Sequence, residues 1–264
     1  MKRLAAAFAE LRRRGEAALV PFLTAGYPRP GDLPGLVEAV VEAGADLVEI
    51  GLPFSDPMAD GPVIQHSSQQ ALAQGMSIAR ALEEAAAARR RVAVPLVFMG
   101  YLNPLLAYGL QRFCAAAVRA GVDGLIVPDL PVEESAALRS AARRAGLAPT
   151  FLIAPTSTPA RIRAADRASA VFSYCVALTG ITGAALGVDG GLRRYLRRVR
   201  RHARKPYVVG FGVSRVAQVR ALASLADGVV VGSALIRALA DGPRPSTVRR
   251  AAALVHQLKK GTLR

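Results

Sequence analysis

From one end of the chain to the other, short apolar runs alternate with segments of helical periodicity, and this alternation limits the fold more than any other feature. The runs at 19–24, 47–51, 96–99, 124–127, 150–153, 171–176, 207–211 and 228–231 are near-continuous in apolar residues. That is the signature of strands covered on both faces. Between them lie helical patterns near 33–43, 63–73 with 78–91, 110–120, 133–145, 159–167, 191–203, 215–223 and 233–240. A final helix over 246–260 is capped by Ser246 or Thr247. Eight strands, each followed by a helix, predict a parallel sheet closed on itself, a (β/α)8 (TIM) barrel. The 264 residues match the roughly 250 that such a barrel needs. With no linker, low-complexity tract or close internal repeat, residues 1–264 are read as a single domain.

Leu4, Phe8 and Leu11 share one helical face, which adds an extra N-terminal helix ahead of the first strand. The apolar run there is short and is closed by Glu10 and Arg12, so it does not read as a secretory signal. The charge-poor stretches 92–110 and 168–188 carry Pro95, Gly100, Pro104, Gly180 and Gly183. Such breakers suit strand, loop and helix start rather than a membrane span. Cys114 and Cys175 lack ligand-like spacing and read as buried thiols. Their reduced state suits the cytoplasm.

The formal charge is +16, from 35 basic and 19 acidic residues. In 192–205 the arginines at 193, 194, 197, 198, 200, 201 and 204 avoid the face of Leu192, Leu196 and Val199. The charge therefore reads as a solvated outer surface. It permits non-specific attraction to polyanions, and a nucleic-acid or scaffold role is the corresponding alternative. No nucleic-acid motif accompanies it. His66, His202 and His256 fall on helices and read as surface or packing residues, which speaks against another phosphate barrel such as an epimerase, an enzyme that would usually need metal ligands.

Barrel enzymes build their sites at the C-terminal ends of the strands. Alternation along 46–51 puts Glu49 on the inward face, near the barrel mouth. Burial raises a carboxyl pKa, which suits a group that takes and gives a proton near neutrality. A structural Glu bonded to an amide or an Arg is the other reading. The proline-rich loop after it holds Asp56 and Asp60, each of which alone reads as a turn former. Gly210, Gly212 and Gly232–Ser233, at the seventh and eighth strand ends, and Thr179–Ala184 after the sixth, offer backbone amides for a phosphate. The rest of the sixth loop, to Gly191, is long and glycine-rich enough for a lid. Tyr174 either reaches the site or packs in the core.

Residues 48–65 read VEIGLPFSDPMADGPVIQ. This string resembles the signature of the tryptophan synthase alpha chain family. Val20 to Gly26, Met99 to Pro104, Val127 to Glu134, Gly180 to Gly183, Gly210 to Gly212 and Gly232–Ser233 resemble its other strand ends, so the likeness spans nearly the whole chain. The resemblance implies retro-aldol cleavage of indole-3-glycerol phosphate to indole and glyceraldehyde 3-phosphate in tryptophan biosynthesis. It implies that Glu49 is the general acid/base, that Asp60 pairs with the indole N–H, and that Tyr174 helps position the catalytic group. Thr182 would be the lid residue that meets Asp60. Gly183, Gly212, Gly232 and Ser233 would hold the phosphate, and Phe22, Met99, Ile126, Leu152 and Phe211 would form the indole pocket.

The resemblance further implies no cofactor or metal in this chain. The expected partner is a beta chain carrying pyridoxal phosphate, in a two-alpha, two-beta complex docked through Pro53, Asp56, Pro57, Asn103 and Pro104. A free-standing indole-3-glycerol phosphate lyase is the alternative within the same chemistry. Ala177 and Leu178 depart from the Ser and Arg found in many or some relatives and bear on lid closure.

Overall fold

The computed structural model describes residues 1–176, 190–210, 212–240 and 244–263, with the side chains of 244 and 245 left aside. Nine strands form one parallel sheet: β1 (Ala18–Thr24), β2 (Val48–Gly51), β3 (Leu96–Met99), β4 (Gly124–Ile126), β5 (Ala148–Thr150), β6 (Leu152–Ile153), β7 (Ser173–Val176), β8 (Tyr207–Gly210) and β9 (Gly228–Val231). Their order is β5-β4-β3-β2-β1-β9-β8-β7-β6. The two ends of that order are consecutive in the chain, which curls the sheet into a barrel.

The helices are α1 (Lys2–Arg14), α2 (Leu33–Glu42), α3 (Pro62–Ala73), α4 (Ile78–Arg89), α5 (Leu102–Tyr108), α6 (Leu110–Arg119), α7 (Ala136–Ala145), α8 (Pro159–Ala168), α9 (Gly190–His202), α10 (Val216–Ala223), α11 (Ser233–Leu239) and α12 (Arg244–Lys259). Helix α1 buries Leu4, Phe8 and Leu11 as the amphipathic pattern predicts, and Phe8 stacks on Phe172 at 5.3 Å. In α9 the buried residues are Leu192, Tyr195, Leu196 and Val199, with the arginines elsewhere on the helix. Both cysteines are free and buried. Among the described residues, no helix is long and apolar enough to cross a membrane.

Helix α12 begins at Arg244, so Ser246 and Thr247 lie inside it rather than capping it, and the fold departs from the sequence reading in two further places. The fifth predicted strand is split at Phe151: β5 pairs with β4, and β6 pairs with β7. Pro149 brings no N–H to the ladder, and the Phe151 N–H donates to Ser169 Oγ at 2.9 Å instead of to a strand. Both pieces remain one stave of the barrel. The second departure is α5, which occupies a stretch read as loop. Its first backbone amide, Leu102 N–H, donates to both oxygens of Asp129 at 3.0 and 3.2 Å. A carboxylate from the neighbouring strand end thus caps the helix.

One contact recurs at the closed end of the barrel. Asp46, Asp123 and Asp227 stand just ahead of β2, β4 and β9. Each accepts a backbone N–H from the preceding or adjoining stave: Leu19 at 2.8 Å, Leu96 at 3.0 Å and Tyr207 at 3.1 Å. Each also meets a cation: Lys259 at 2.7 Å from Asp46, Arg3 at 2.5 Å from Asp123 and Arg200 at 3.2 Å from Asp227. No close sequence repeat announces this device, because only the aspartate and its position recur. Removing one partner strands the rest in a buried setting. Asp123→Ala, which frees the Leu96 amide and the half-buried Arg89, is expected to lower the unfolding free energy by about 2–4 kcal/mol in urea titrations.

Candidate active site

Strand alternation and register turn Glu49 inward. In the β1–β2 ladder Glu49 is paired with Phe22, and in the β2–β3 ladder with Val97. The inward neighbour Gly51 leaves no room for a Cβ beside the Phe22 ring. Glycine there is what lets the ring lie across the barrel mouth.

A cavity of about 390 Å³ opens at that mouth. It is lined by Phe22, Glu49, Met58, Ala59, Asp60, Ile64, Met99, Leu152, Tyr174, Val176, Gly210, Gly212, Val230, Gly232 and Ser233. Ten of the residues proposed from sequence therefore converge: Glu49, Asp60, Tyr174, Phe22, Met99, Leu152, Gly210, Gly212, Gly232 and Ser233. Ile126 does not line the cavity. It is buried in β4, in register with Met99 and Thr150. Thr182, Gly183 and Phe211, together with Ala177 and Leu178, lie outside the described residues.

The electrostatics divide the cavity. Glu49 is 2% exposed, and its Oε1 has no hydrogen-bond partner. No Lys or Arg lines the cavity among the described residues. Burial first, and the nearby Asp60 carboxylate second, push the Glu49 pKa up to about 8. An unpaired carboxyl in this setting keeps its proton at neutral pH. Tyr174 is buried as well, and burial with the two acids holds its phenol far above its usual range.

Asp60 has a different environment. It is half-exposed, and Tyr101 Oη donates to its Oδ2 at 2.9 Å. Burial raises its pKa and the Tyr101 bond works against the rise. Tyr101 Oη in turn accepts from Ala59 N–H at 3.0 Å, and its ring lies 5.3 Å from that of Phe54. Gln65 Nε2 ties down the Asp60 carbonyl at 2.9 Å. The loop after β2 is thus clamped on both sides of its acid. Tyr101 was missed from sequence, because a tyrosine at a strand end looks the same whether it packs or donates across to another loop.

At the other side of the cavity, Gly212 has φ +47°, a left-handed conformation that favours glycine. Ser233 opens α11, and the first amides of a helix have no acceptor within it. Gly210 leaves no room for a Cβ beside the Tyr174 hydroxyl. This end offers backbone N–H groups, which suits a phosphate oxygen.

The residues read as a docking face are not all available. Asp56 and Asn103 are exposed and Pro53 and Pro104 half-buried, but Pro57 is buried. Its carbonyl accepts from Asp60 N–H at 3.0 Å, so Pro57 shapes the loop rather than presenting a surface. Asn103 and Pro104 sit in the first turn of α5, not in a loop. Among the described residues, no group of His, Cys, Asp or Glu is assembled to hold a metal ion.

A barrel mouth with a buried, unpartnered carboxyl, a second acid in the same apolar-walled cavity and glycines with a helix start at its other side suits an acid/base enzyme with a phosphorylated substrate. The family model described as tryptophan synthase alpha chain matches residues 8–262. The alpha chain of Chloroflexus aurantiacus is 47% identical over 265 residues, covering 100% of both chains. The crystal structure of the alpha subunit from Legionella pneumophila superposes with TM-score 0.92 at 32% identity, covering 99% of this chain and 98% of that one. A structure of Mycobacterium tuberculosis tryptophan synthase gives 0.91 at 36% identity, covering 99% and 98%. The chain belongs to the tryptophan synthase alpha chain family. It is accordingly a lyase subunit of tryptophan biosynthesis, which cleaves indole-3-glycerol phosphate.

The raised Glu49 pKa has a thermodynamic consequence. A carboxyl whose folded pKa lies above its unfolded value favours the fold when protonated, and that contribution is lost as pH rises from about 4.5 to about 8. Glu49→Gln removes the cost of ionising the buried group. Its gain in unfolding free energy over the parent is expected to be about 3–5 kcal/mol larger at pH 9 than at pH 4, read by denaturant titration at both pH values.

Proposed function

We propose that Glu49 moves the proton of the cleavage reaction and that Asp60 stabilises the charge which that proton creates. The observation that carries this reading is the buried, unpartnered Glu49 carboxyl, with a pKa of about 8, in one cavity with Asp60. Neutral Glu49 donates its proton to indole C3, and the ring becomes a cation with its charge shared at the ring nitrogen. The Asp60 carboxylate pairs with the ring N–H, where that charge develops. Glu49, now a carboxylate, takes the proton of the adjacent side-chain hydroxyl. The carbon–oxygen double bond forms, the bond to C3 breaks, and its electron pair restores the indole ring. Indole and glyceraldehyde 3-phosphate leave, and Glu49 ends protonated as it began.

Tyr174 stands beside the carboxyl and orients it. Phe22, Met99 and Leu152 sandwich the indole, with Phe211 as a further wall. Gly212, Gly232 and Ser233 hold the phosphate, joined by Gly183, and Thr182 of the sixth loop meets Asp60 on closure. Tyr101 joins this set, because its hydroxyl fixes the direction of the Asp60 carboxylate. The working unit is the single domain 1–264.

The reading extends to a beta chain that carries pyridoxal phosphate, in a two-alpha, two-beta complex in the cytoplasm. Pro53, Asp56, Asn103 and Pro104 would meet it. Met58, 89% exposed on the loop after β2, and Leu106, 51% exposed on α5, support a partner there, since large apolar side chains at a rim mark contact surfaces.

Glu49→Gln is expected to cut indole release by about 10²–10⁴-fold, and Asp60→Asn by about 10²–10³-fold, in steady-state assays on the phosphate ester. Wild-type activity in Glu49→Gln would refute the proton role. For Tyr101, the loss of a donor favours the neutral form of Asp60 and raises its pKa. Tyr101→Phe is expected to move the acidic limb of kcat/KM to higher pH, with a loss of about tenfold at neutral pH. An unmoved limb would leave Tyr101 with packing alone.

A further inference from the structure

Neighbouring helices of a barrel close its outer wall by packing on each other. Here α6 packs on α7 and α8 on α9, but α7 and α8 stand apart. The interval between them is a groove of about 610 Å³ near the N-terminal ends of the strands, at the opposite end of the barrel from Glu49. Leu147 and Pro149 at the start of β5, with Ala136 and Ala168, supply its apolar lining.

Its charge is of one sign. Arg139 and Arg143, one turn apart on α7, line one wall, and Arg167, in the last turn of α8, lines the other. No hydrogen bond or ion pair engages any of these three guanidinium groups among the described residues. Lys205 also lines the groove. Its Nζ is spent on the α8 C-terminal carbonyls of Asp166 at 2.5 Å, Arg167 at 3.2 Å and Ser169 at 2.5 Å. Those carbonyls therefore offer no counter-charge. No carboxylate lines the groove. The Asp166 carboxylate nearby accepts the backbone N–H groups of Arg204 at 3.1 Å and Lys205 at 3.0 Å.

This differs from Arg193, Arg194, Arg197 and Arg201 of α9, which are exposed on the outer face of a single helix. Across the groove, like charges face a shared concavity, where they repel unless an anion lies between them. Guanidinium forks bind phosphoryl and carboxylate oxygens in pairs. We propose that the α7–α8 groove is a second binding site, for a small multivalent anion bearing phosphoryl or carboxylate groups, separate from the substrate cavity.

Inorganic pyrophosphate at constant ionic strength, titrated onto the full chain and followed by calorimetry and ³¹P NMR, tests this. The wild type is expected to take up one equivalent that does not inhibit indole release competitively. Arg139→Gln/Arg143→Gln on one wall, and Arg167→Gln on the other, are each expected to weaken that equivalent at least tenfold without changing the kinetics of cleavage. Arg197→Gln/Arg201→Gln on α9 is expected to leave it unchanged. Two results would overturn the proposal: uptake only of equivalents that substrate displaces, or equal weakening by the α9 pair, which would make the attraction diffuse charge.

Discussion

A carboxyl group sealed in the mouth of a barrel without a cation is the constraint around which the site is organised. Glu49 cannot ionise cheaply there, since burial alone penalises the charge and Asp60 adds to the penalty. A salt bridge would have removed the cost, as Lys259 does in part for Asp46 at the other end of the barrel. The carboxyl group thus has two fates set by its neighbours: at the closed end aspartates are paired with amides and cations, while at the open end Glu49 is left unpaired.

The division continues across the cavity. Two acids, one kept neutral by burial and one held by a tyrosine hydroxyl, face a region lined by glycines and a helix start. On the proposed reading, a substrate with an aromatic ring at one end and a phosphate at the other takes one orientation, because its anionic end is repelled by the Asp60 carboxylate and accepted by backbone N–H groups. Orientation thus comes from field and shape together, and the apolar walls of Phe22, Met99 and Leu152 add area without polarity.

Much of this was legible in the sequence. The fold followed from alternating apolar runs, and inward alternation placed Glu49 before any contact was known. The VEIGLPFSDPMADGP string joined Glu49 to Asp60. What escaped the sequence depends on contacts between distant segments. The Tyr101–Asp60 bond joins two loops 41 residues apart. The break in the fifth strand depends on Ser169 competing for the Phe151 amide. The resemblance implied a pocket role for Ile126, but its place in β4 keeps it out of the cavity lining. The resemblance placed Pro57 on a docking face, yet the clamped loop buries it. The gap between α7 and α8 leaves no trace in the periodicity of either helix.

The protonation state of one side chain tests the account most directly. Isotope-edited infrared spectra of chain labelled with ¹³C at glutamate carboxyls, with Glu49→Gln subtracted, isolate the Glu49 band. A protonated carboxyl band at pH 6.5 that converts to carboxylate with a midpoint near 8 is the expected result. A carboxylate band already complete at pH 6 would contradict it, because a group ionised at that pH has no proton to give to the indole ring.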